Sequence, residues 1–264
     1  MAEWLGKGLQ SPVQRFDSAR RLVERIGAGR EAEIFAWGNG TVLRLARDPR
    51  ATRMIEREAA ALAAAHAAGA PVPAVYERVT VDGRPGVVLE RIDGPDLLAR
   101  LRRRPWTFFA VAWTLGRRHA ALHAVTAPAG LPALRDELQY RLGSRLVPPD
   151  VRAGALERLR GLPGGDRLLH GDFHPANLLR TPQGEVVVDW TNAARGDPHA
   201  DVARTLLLLH GVPPGWRRAA AFAYLRAYGP LDRGLVARWR PVWAAARLSE
   251  DVHEERAYLL REAR

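Results

Sequence analysis

Apolar and polar positions alternate with a period near two in the first third of the chain and recur with a helical period afterwards. That order predicts a strand-rich N-terminal part followed by a helical one. Leu22 to Ile26 reads as a first strand. Ile34 to Trp37 and Thr41 to Leu45 read as a hairpin around Gly38-Asn39-Gly40, residues that accept the positive φ angles of a tight turn. Pro49 opens a helix to about Ala68, closed by Gly69 and the Pro71-Val72-Pro73 stretch, with Ile55, Ala59 and Leu62 on its inner face. Val75 to Thr80 and Gly86 to Leu89 form two more strands around Asp82-Gly83. From Pro95 the pattern is helical over Leu97 to Arg103, Trp106 to His123, Leu134 to Leu142 and Val151 to Arg160.

Short apolar pairs, Leu168-Leu169 and Leu178-Leu179, then bracket a polar loop in which Pro175 opposes early helix formation. Val186 to Val188, three β-branched residues in a row, predict a strand buried on both faces. Helices over Asp201 to His210, Trp216 to Tyr228 and Leu235 to Leu248 complete the pattern. Glu3 to Ala19 predicts a helical lead-in with no assigned role. No internal repeat or low-complexity linker divides the chain.

Composition narrows the classes. The 264 residues are 47% hydrophobic and 26% charged, as in a globular protein. No apolar run approaches the roughly 20 residues of a membrane span, and Met1 to Gln10 lack a basic-then-apolar export pattern, so a cytoplasmic location without membrane contact is expected. There are no cysteines, which excludes disulfides and thiolate metal sites. The net charge of +11 comes almost wholly from arginine, since Lys7 is the sole lysine among 40 basic residues. That bias, with abundant alanine and glycine, reflects coding composition. The arginines are scattered, and the densest run, Arg100 to Arg104, reads as a solvated helix face, so no nucleic-acid partner is expected.

The bracketed loop carries the chemistry. Asp172 is followed by Asn177 and, twelve residues later, by Asp189 behind the valine run. Those side chains suit phosphoryl transfer. One carboxylate takes a proton from a small-molecule hydroxyl, while the amide oxygen and the second carboxylate hold Mg²⁺ against ATP phosphates. Gly27 and Gly29 allow a backbone turn over phosphates.

The run His170-Gly171-Asp172-Phe173-His174-Pro175-Ala176-Asn177-Leu178-Leu179, then Val188-Asp189-Trp190, Gly196-Asp197-Pro198 and Asp201, resembles the aminoglycoside phosphotransferase and choline kinase family. The likeness spans about Ile26 to about Leu260. It implies an α+β, protein-kinase-like fold of two lobes, a small β-rich N-lobe over 1–92 and a larger, mainly helical C-lobe over 93–264. It implies Asp172 as catalytic base, Asn177 and Asp189 as Mg²⁺ ligands, and Asp201 as a support of the catalytic loop. It places the hinge backbone of Glu90 and Ile92 on the base of ATP or GTP. It puts a phosphate-contacting lysine where this chain has Arg44, and helical spacing makes Glu58, rather than Glu56, its partner.

Three further readings follow from the same residues. Arginine at position 44 admits a nucleotide-binding pseudokinase with impaired turnover. His170, Asp172 and His174 admit a metal-dependent hydrolase. His119 and His123, one helical turn apart, make a metal pair lacking a nearby third ligand. Glu250, Asp251, Glu254 and Glu255 form an acidic cluster, and the resemblance implies that acids in this region can meet amino groups of an acceptor. The acceptor's identity and the oligomeric state are not legible.

Overall fold

A computed structural model describes residues 14–15, 24–29, 31–209, 212 and 214–264. Strands β1 (Gln14–Arg15), β2 (Glu24–Ala28), β3 (Ala32–Gly38) and β4 (Thr41–Ala46) precede helix α1 (Thr52–Ala67). Strands β5 (Val75–Val81) and β6 (Arg84–Glu90) follow. Together they form one sheet of order β1-β5-β6-β4-β3-β2, antiparallel except for β1 beside β5. Most of the expected N-terminal lead-in lies outside the described residues. Gln14 and Arg15 are described, and pair as strand with Val79 and Thr80 rather than as helix. Of the first expected strand, Leu22 and Val23 also fall outside.

The turns form where their residues permit them: Asn39 and Gly40 have φ of 46° and 72°, and Asp82 and Gly83 have 49° and 74°. Helix α1 starts three residues later than expected. Its inner face buries Ile55, Ala59 and Leu62 against the sheet and, in the same stripe, Glu58.

The rest is largely helical: α2 (Leu97–Arg103), α3 (Phe108–His123), α4 (Leu134–Leu142) and α5 (Pro149–Arg160). Short strands β7 (Arg167–Leu169), β8 (Leu178–Thr181), β9 (Gly184–Val187) and β10 (Ala194–Gly196) come next. Helices α6 (Pro198–Leu208), α7 (Pro214–Tyr228), α8 (Arg233–Arg247) and α9 (Arg256–Glu262) close the chain. The two-lobed α+β fold expected from the resemblance is the fold observed.

Local chemistry explains several departures. A 3₁₀ turn at Pro105–Thr107 precedes α3, so the helix begins two residues late. Helix α6 begins at Pro198, with Asp197 as its N-cap accepting from His199 N–H. Asp201 therefore sits in the first turn. Helix α8 runs through Pro241. The valine run is not buried on both faces. Among the described residues β9 pairs only with β8, in a two-stranded hairpin, and Val186 and Val188 are half-buried while Val187 is buried. Gly116 lets α3 meet α7 closely: a Cβ there would overlap the Tyr224 carbonyl oxygen. The arginine-rich end of α2 is largely exposed, as expected.

Candidate active site

The loop between β7 and β8 is held from below by one carboxylate. Asp201 is fully buried and accepts the His170 N–H at 2.7 Å and the Gly171 N–H at 3.1 Å. His119 and His123 also reach it through Nε2, at 3.1 and 3.3 Å. The expected absence of a third group near that histidine pair is therefore corrected, because Asp201 is that group. Among the described residues these three form the one cluster with metal-ligand spacing. Every ligand atom already has a hydrogen-bond partner. Nδ1 of each histidine meets a tyrosine hydroxyl, Tyr224 at 2.6 Å and Tyr228 at 2.7 Å. The cluster is thus a hydrogen-bonded girder. Burial and the neighbouring His123 push His119 down to about 3, so its ring is neutral and donates to Asp201.

Gly171 makes the turn with φ of 75°, a left-handed value that suits glycine. A Cβ there would also overlap the Asn192 carbonyl oxygen. His170 is buried, and its Nδ1 accepts the Asp172 N–H at 3.2 Å. Its Nε2 therefore carries the proton and donates to the Val188 carbonyl at 3.1 Å. Both ring nitrogens are used in tying the Asp172 loop to the residue before Asp189. That leaves His170 nothing with which to hold a metal, and the hydrolase reading loses its first ligand.

Pro175 does not keep the loop from coiling. Pro175–Asn177 is a single 3₁₀ turn with the proline at its start, where its missing N–H costs nothing. That turn brings Asn177 back: its Nδ2 donates to the Asp172 carbonyl at 2.9 Å, and its own carbonyl accepts the Val188 N–H at 3.0 Å. Two hydrogen bonds thus run from the Asp172 loop through Asn177 to the strand end before Asp189. With Nδ2 committed, Asn177 Oδ1 has no hydrogen-bond partner among the described residues.

Asp189 itself has φ of 64°, a left-handed conformation that aspartate tolerates. Its Oδ1 accepts Thr191 Oγ1 at 2.9 Å and Arg44 Nη2 at 3.0 Å. Arg44 Nε lies 2.9 Å from Glu58 Oε2, an ion pair without hydrogen-bond alignment. Glu58 also accepts the Trp190 N–H. Burial pulls the Arg44 guanidinium down, but Glu58 and Asp189 outweigh it and keep it charged. Burial pushes Glu58 up to about 7, against the pull of Arg44. The expected choice of Glu58 over Glu56 matches the geometry, since Glu56 faces Arg78 at the surface.

Between sheet and helices lies a cleft of about 460 Å³. Its walls include Gly27, Arg44, Glu58, Glu90, Ile92, Asn177 and Asp189. Apolar Ile34, Val42, Leu89, Leu179 and Val188 line it as well, giving a slot with an apolar interior and a polar end. A Cβ on Gly27 would meet only the Ile34 side chain at an ordinary 3.7 Å, so packing within the chain does not demand glycine there. Gly29 is not part of this wall; it closes a turn through its N–H to the Ala32 carbonyl. Glu90 folds its side chain back onto the Ala74 N–H, and the Ile92 N–H has no partner among the described residues. Asn177 Oδ1 and the second Asp189 oxygen, both uncommitted and in one wall, are hard oxygen donors of the kind Mg²⁺ takes.

Asp172 lies outside that cleft wall. Arg204 Nη2 donates to its Oδ1 at 2.9 Å, and His174 Nε2 approaches its Oδ2 at 3.5 Å. Burial would raise this carboxyl, but the Arg204 guanidinium and His174 hold it well below the usual carboxylate range. Sequence reasoning missed Arg204. An arginine among the buried positions of an apolar helix was the available signal. The acidic cluster also differs from expectation. Glu250 is bound by Arg141, Arg204 and Arg247, and Glu255 by Arg247, whereas Asp251 and Glu254 are exposed. Glu250 and Glu255, both half-buried, are thus paired with arginines of the chain itself.

Comparison with solved structures places this fold among known phosphotransferases. A thermostable mutant of aminoglycoside phosphotransferase APH(4)-Ia is 18% identical, with 90% of this chain and 91% of that one covered and a TM-score of 0.65. A choline/ethanolamine kinase family protein from Mesorhizobium loti is 20% identical, with coverages of 90% and 84% and a TM-score of 0.61. The amicoumacin kinase hAmiN is 15% identical, with coverages of 94% and 88% and a TM-score of 0.65. No match is found among curated protein sequences. At these identities the likeness establishes the fold. The profile of the phosphotransferase enzyme family, however, matches residues 23–260, nearly the whole chain, and the protein belongs to that family.

Proposed function

We propose that the protein transfers the γ-phosphoryl group of ATP, or of GTP, to a hydroxyl of a small molecule. The observation that carries this reading is the pair of hydrogen bonds through Asn177, which tie the Asp172 loop to the chain just before Asp189 beside an apolar slot. The nucleotide base would lie in that slot, against the backbone of Glu90 and Ile92. Gly27 would leave room for the phosphates, and Arg44, braced by Glu58, would meet them. Asn177 Oδ1 and Asp189 would hold Mg²⁺, which when bound supplies charge neutralisation along the phosphates. Asp172 would accept a hydrogen bond from the acceptor hydroxyl, orient its oxygen in line with the terminal phosphate, and take its proton as the bond to phosphorus forms. An anionic base with a low proton affinity suits a reaction driven mainly by positioning and charge neutralisation.

Neighbours of this fold support the nucleotide reading: one is described with AMP-PNP and Ca²⁺, and another with GDP and kanamycin. Arg44 retains a cation on both Glu58 and Asp189, which favours an active enzyme over a pseudokinase. The test is a thermal-shift screen with ATP and GTP, with and without Mg²⁺, followed by phosphoryl transfer to a panel of hydroxyl compounds. Nucleotide-dependent stabilisation and labelling of one hydroxyl class are expected. A protein that neither binds nucleotide nor labels any hydroxyl contradicts the proposal.

A further inference from the structure

Arg204 is 2% exposed, and its guanidinium sits between two carboxylates from distant parts of the chain. Nη2 donates to Asp172 Oδ1 and Nη1 donates to Glu250 Oε1, each at 2.9 Å. Its face lies over the Trp243 ring, with Cζ 4.7 Å from the centroid. A buried guanidinium is tolerated only when well paired, and a planar fork fixes the geometry of what it pairs with. Glu250 is itself immobilised. Arg141 Nη1 donates to Oε1 at 2.9 Å and Arg247 Nη1 to Oε2 at 2.6 Å. Arg141 then returns to the other half of the site, since its Nη2 donates to Asn192 Oδ1 at 2.5 Å. Asn192 follows Asp189 by three residues and its carbonyl packs on Gly171.

These contacts close a circuit: Asp172, Arg204, Glu250, Arg141, Asn192 and back to the Asp172 loop. It joins α6, the turn after α8, the end of α4 and the two loops that carry the candidate site. Resting on the phosphotransfer reading above, we infer that Arg204, anchored by Glu250, is a positioning residue. It occupies Asp172 Oδ1, fixes the rotation of that carboxylate, and turns Oδ2, which His174 Nε2 approaches at 3.5 Å, toward the acceptor hydroxyl. The turn at Leu248–Glu250, far along the chain from the catalytic loop, thereby sets the direction from which the acceptor is met.

The test uses the full-length protein with Arg204→Lys, Arg204→Met and Glu250→Gln. Expected are a nucleotide KM within about twofold of wild type and a kcat lower by roughly 10²-fold, the cost typical of a misplaced reacting group. Lysine should recover part of the loss seen with methionine. Adding Arg204→Met to Asp172→Asn should cost nothing further, because the two act as one unit. Crystal structures of the same variants should show the Asp172 carboxylate rotated or in two orientations. A kcat unchanged per folded molecule, or an Asp172 carboxylate left in place, overturns the inference. Should Arg204→Met fail to fold, Glu250→Gln decides, since it keeps the shape and removes the anchoring charge. A wild type that labels no hydroxyl counts against the proposed function, and the orientation of Asp172 then decides this inference by itself.

Discussion

Arg44 Nη2 lies 3.0 Å from Asp189 Oδ1 while its Nε lies 2.9 Å from Glu58, so one cation joins the helix of the sheet lobe to the far wall of the cleft. A lysine is a single point charge and cannot span both carboxylates with the same geometry. Arg44→Met should weaken nucleotide binding about tenfold or more, equal to roughly 1.4 kcal/mol, as read by calorimetric titration. Arg44→Lys should fall between methionine and wild type. Binding that is indifferent to both substitutions would contradict the proposed contact of Arg44 with phosphate.

Asp189 Oδ2 and Asn177 Oδ1 have no hydrogen-bond partner among the described residues, and both residues line the cleft. Asn177→Leu should therefore retain nucleotide binding without Mg²⁺ but lose the extra thermal stabilisation that Mg²⁺ adds. The melting temperature with nucleotide, at increasing Mg²⁺, reads this directly. An unchanged Mg²⁺ increment would place the cation elsewhere.

Gly171→Ala should be costly in both stability and turnover. Its φ of 75° opposes a side chain, and a Cβ would press on the Asn192 carbonyl. Left-handed strain costs about 1–2 kcal/mol and overpacking roughly 1–3 kcal/mol. Gly130→Ala, where a Cβ meets open space, is the control and should leave urea unfolding unchanged.

Two buried groups should set the pH dependence of stability between about pH 6.5 and 5, with opposite signs: His119 weakens the fold as pH falls, and Glu58, pushed up to about 7 by burial, strengthens it. His119 is held neutral, with its proton affinity pushed down to about 3, chiefly by burial. Below about pH 6.5 the unfolded chain binds a proton at this position that the folded chain does not, so the contribution of His119 falls as pH falls. The loss is about 1.4 kcal/mol per pH unit at most, or roughly 2 kcal/mol between pH 6.5 and 5. His170 adds to it in the same direction, since burial lowers it as well. In His119→Gln the urea midpoint should fall less, or rise more, than in wild type as pH is lowered over that window, and an unchanged profile would contradict the role given to His119.

The strands and helices were legible because each amphipathic stripe and each glycine turn is a local signal. Gly38-Asn39-Gly40 and the Ile55, Ala59, Leu62 face are examples. The candidates Asp172, Asn177 and Asp189 stand out for a similar reason, since they flank one short hairpin, β8–β9, and their spacing is written in the chain. Arg204 and Glu250 do not. Their meaning lies in partners at separations of 32 and 46 residues, and no periodicity reports a contact of that kind. The acidic cluster was read without its counterions, because sequence shows charges but not the arginines that Glu250 and Glu255 meet. His119 and His123 were seen as a pair, yet Asp201 joins them only through the packing of α6 beneath the loop. Of the half-buried valines, Val188 lines the cleft, a placement that a run of apolar residues does not announce.

The most direct test of the central claim compares wild type with Asp172→Asn, using γ-labelled ATP, Mg²⁺ and the best hydroxyl acceptor from the panel. Nucleotide affinity should be unchanged, and phosphoryl transfer should fall by roughly 10²–10⁴-fold, the range expected on removing a general base. Transfer at the wild-type rate by Asp172→Asn would contradict the account.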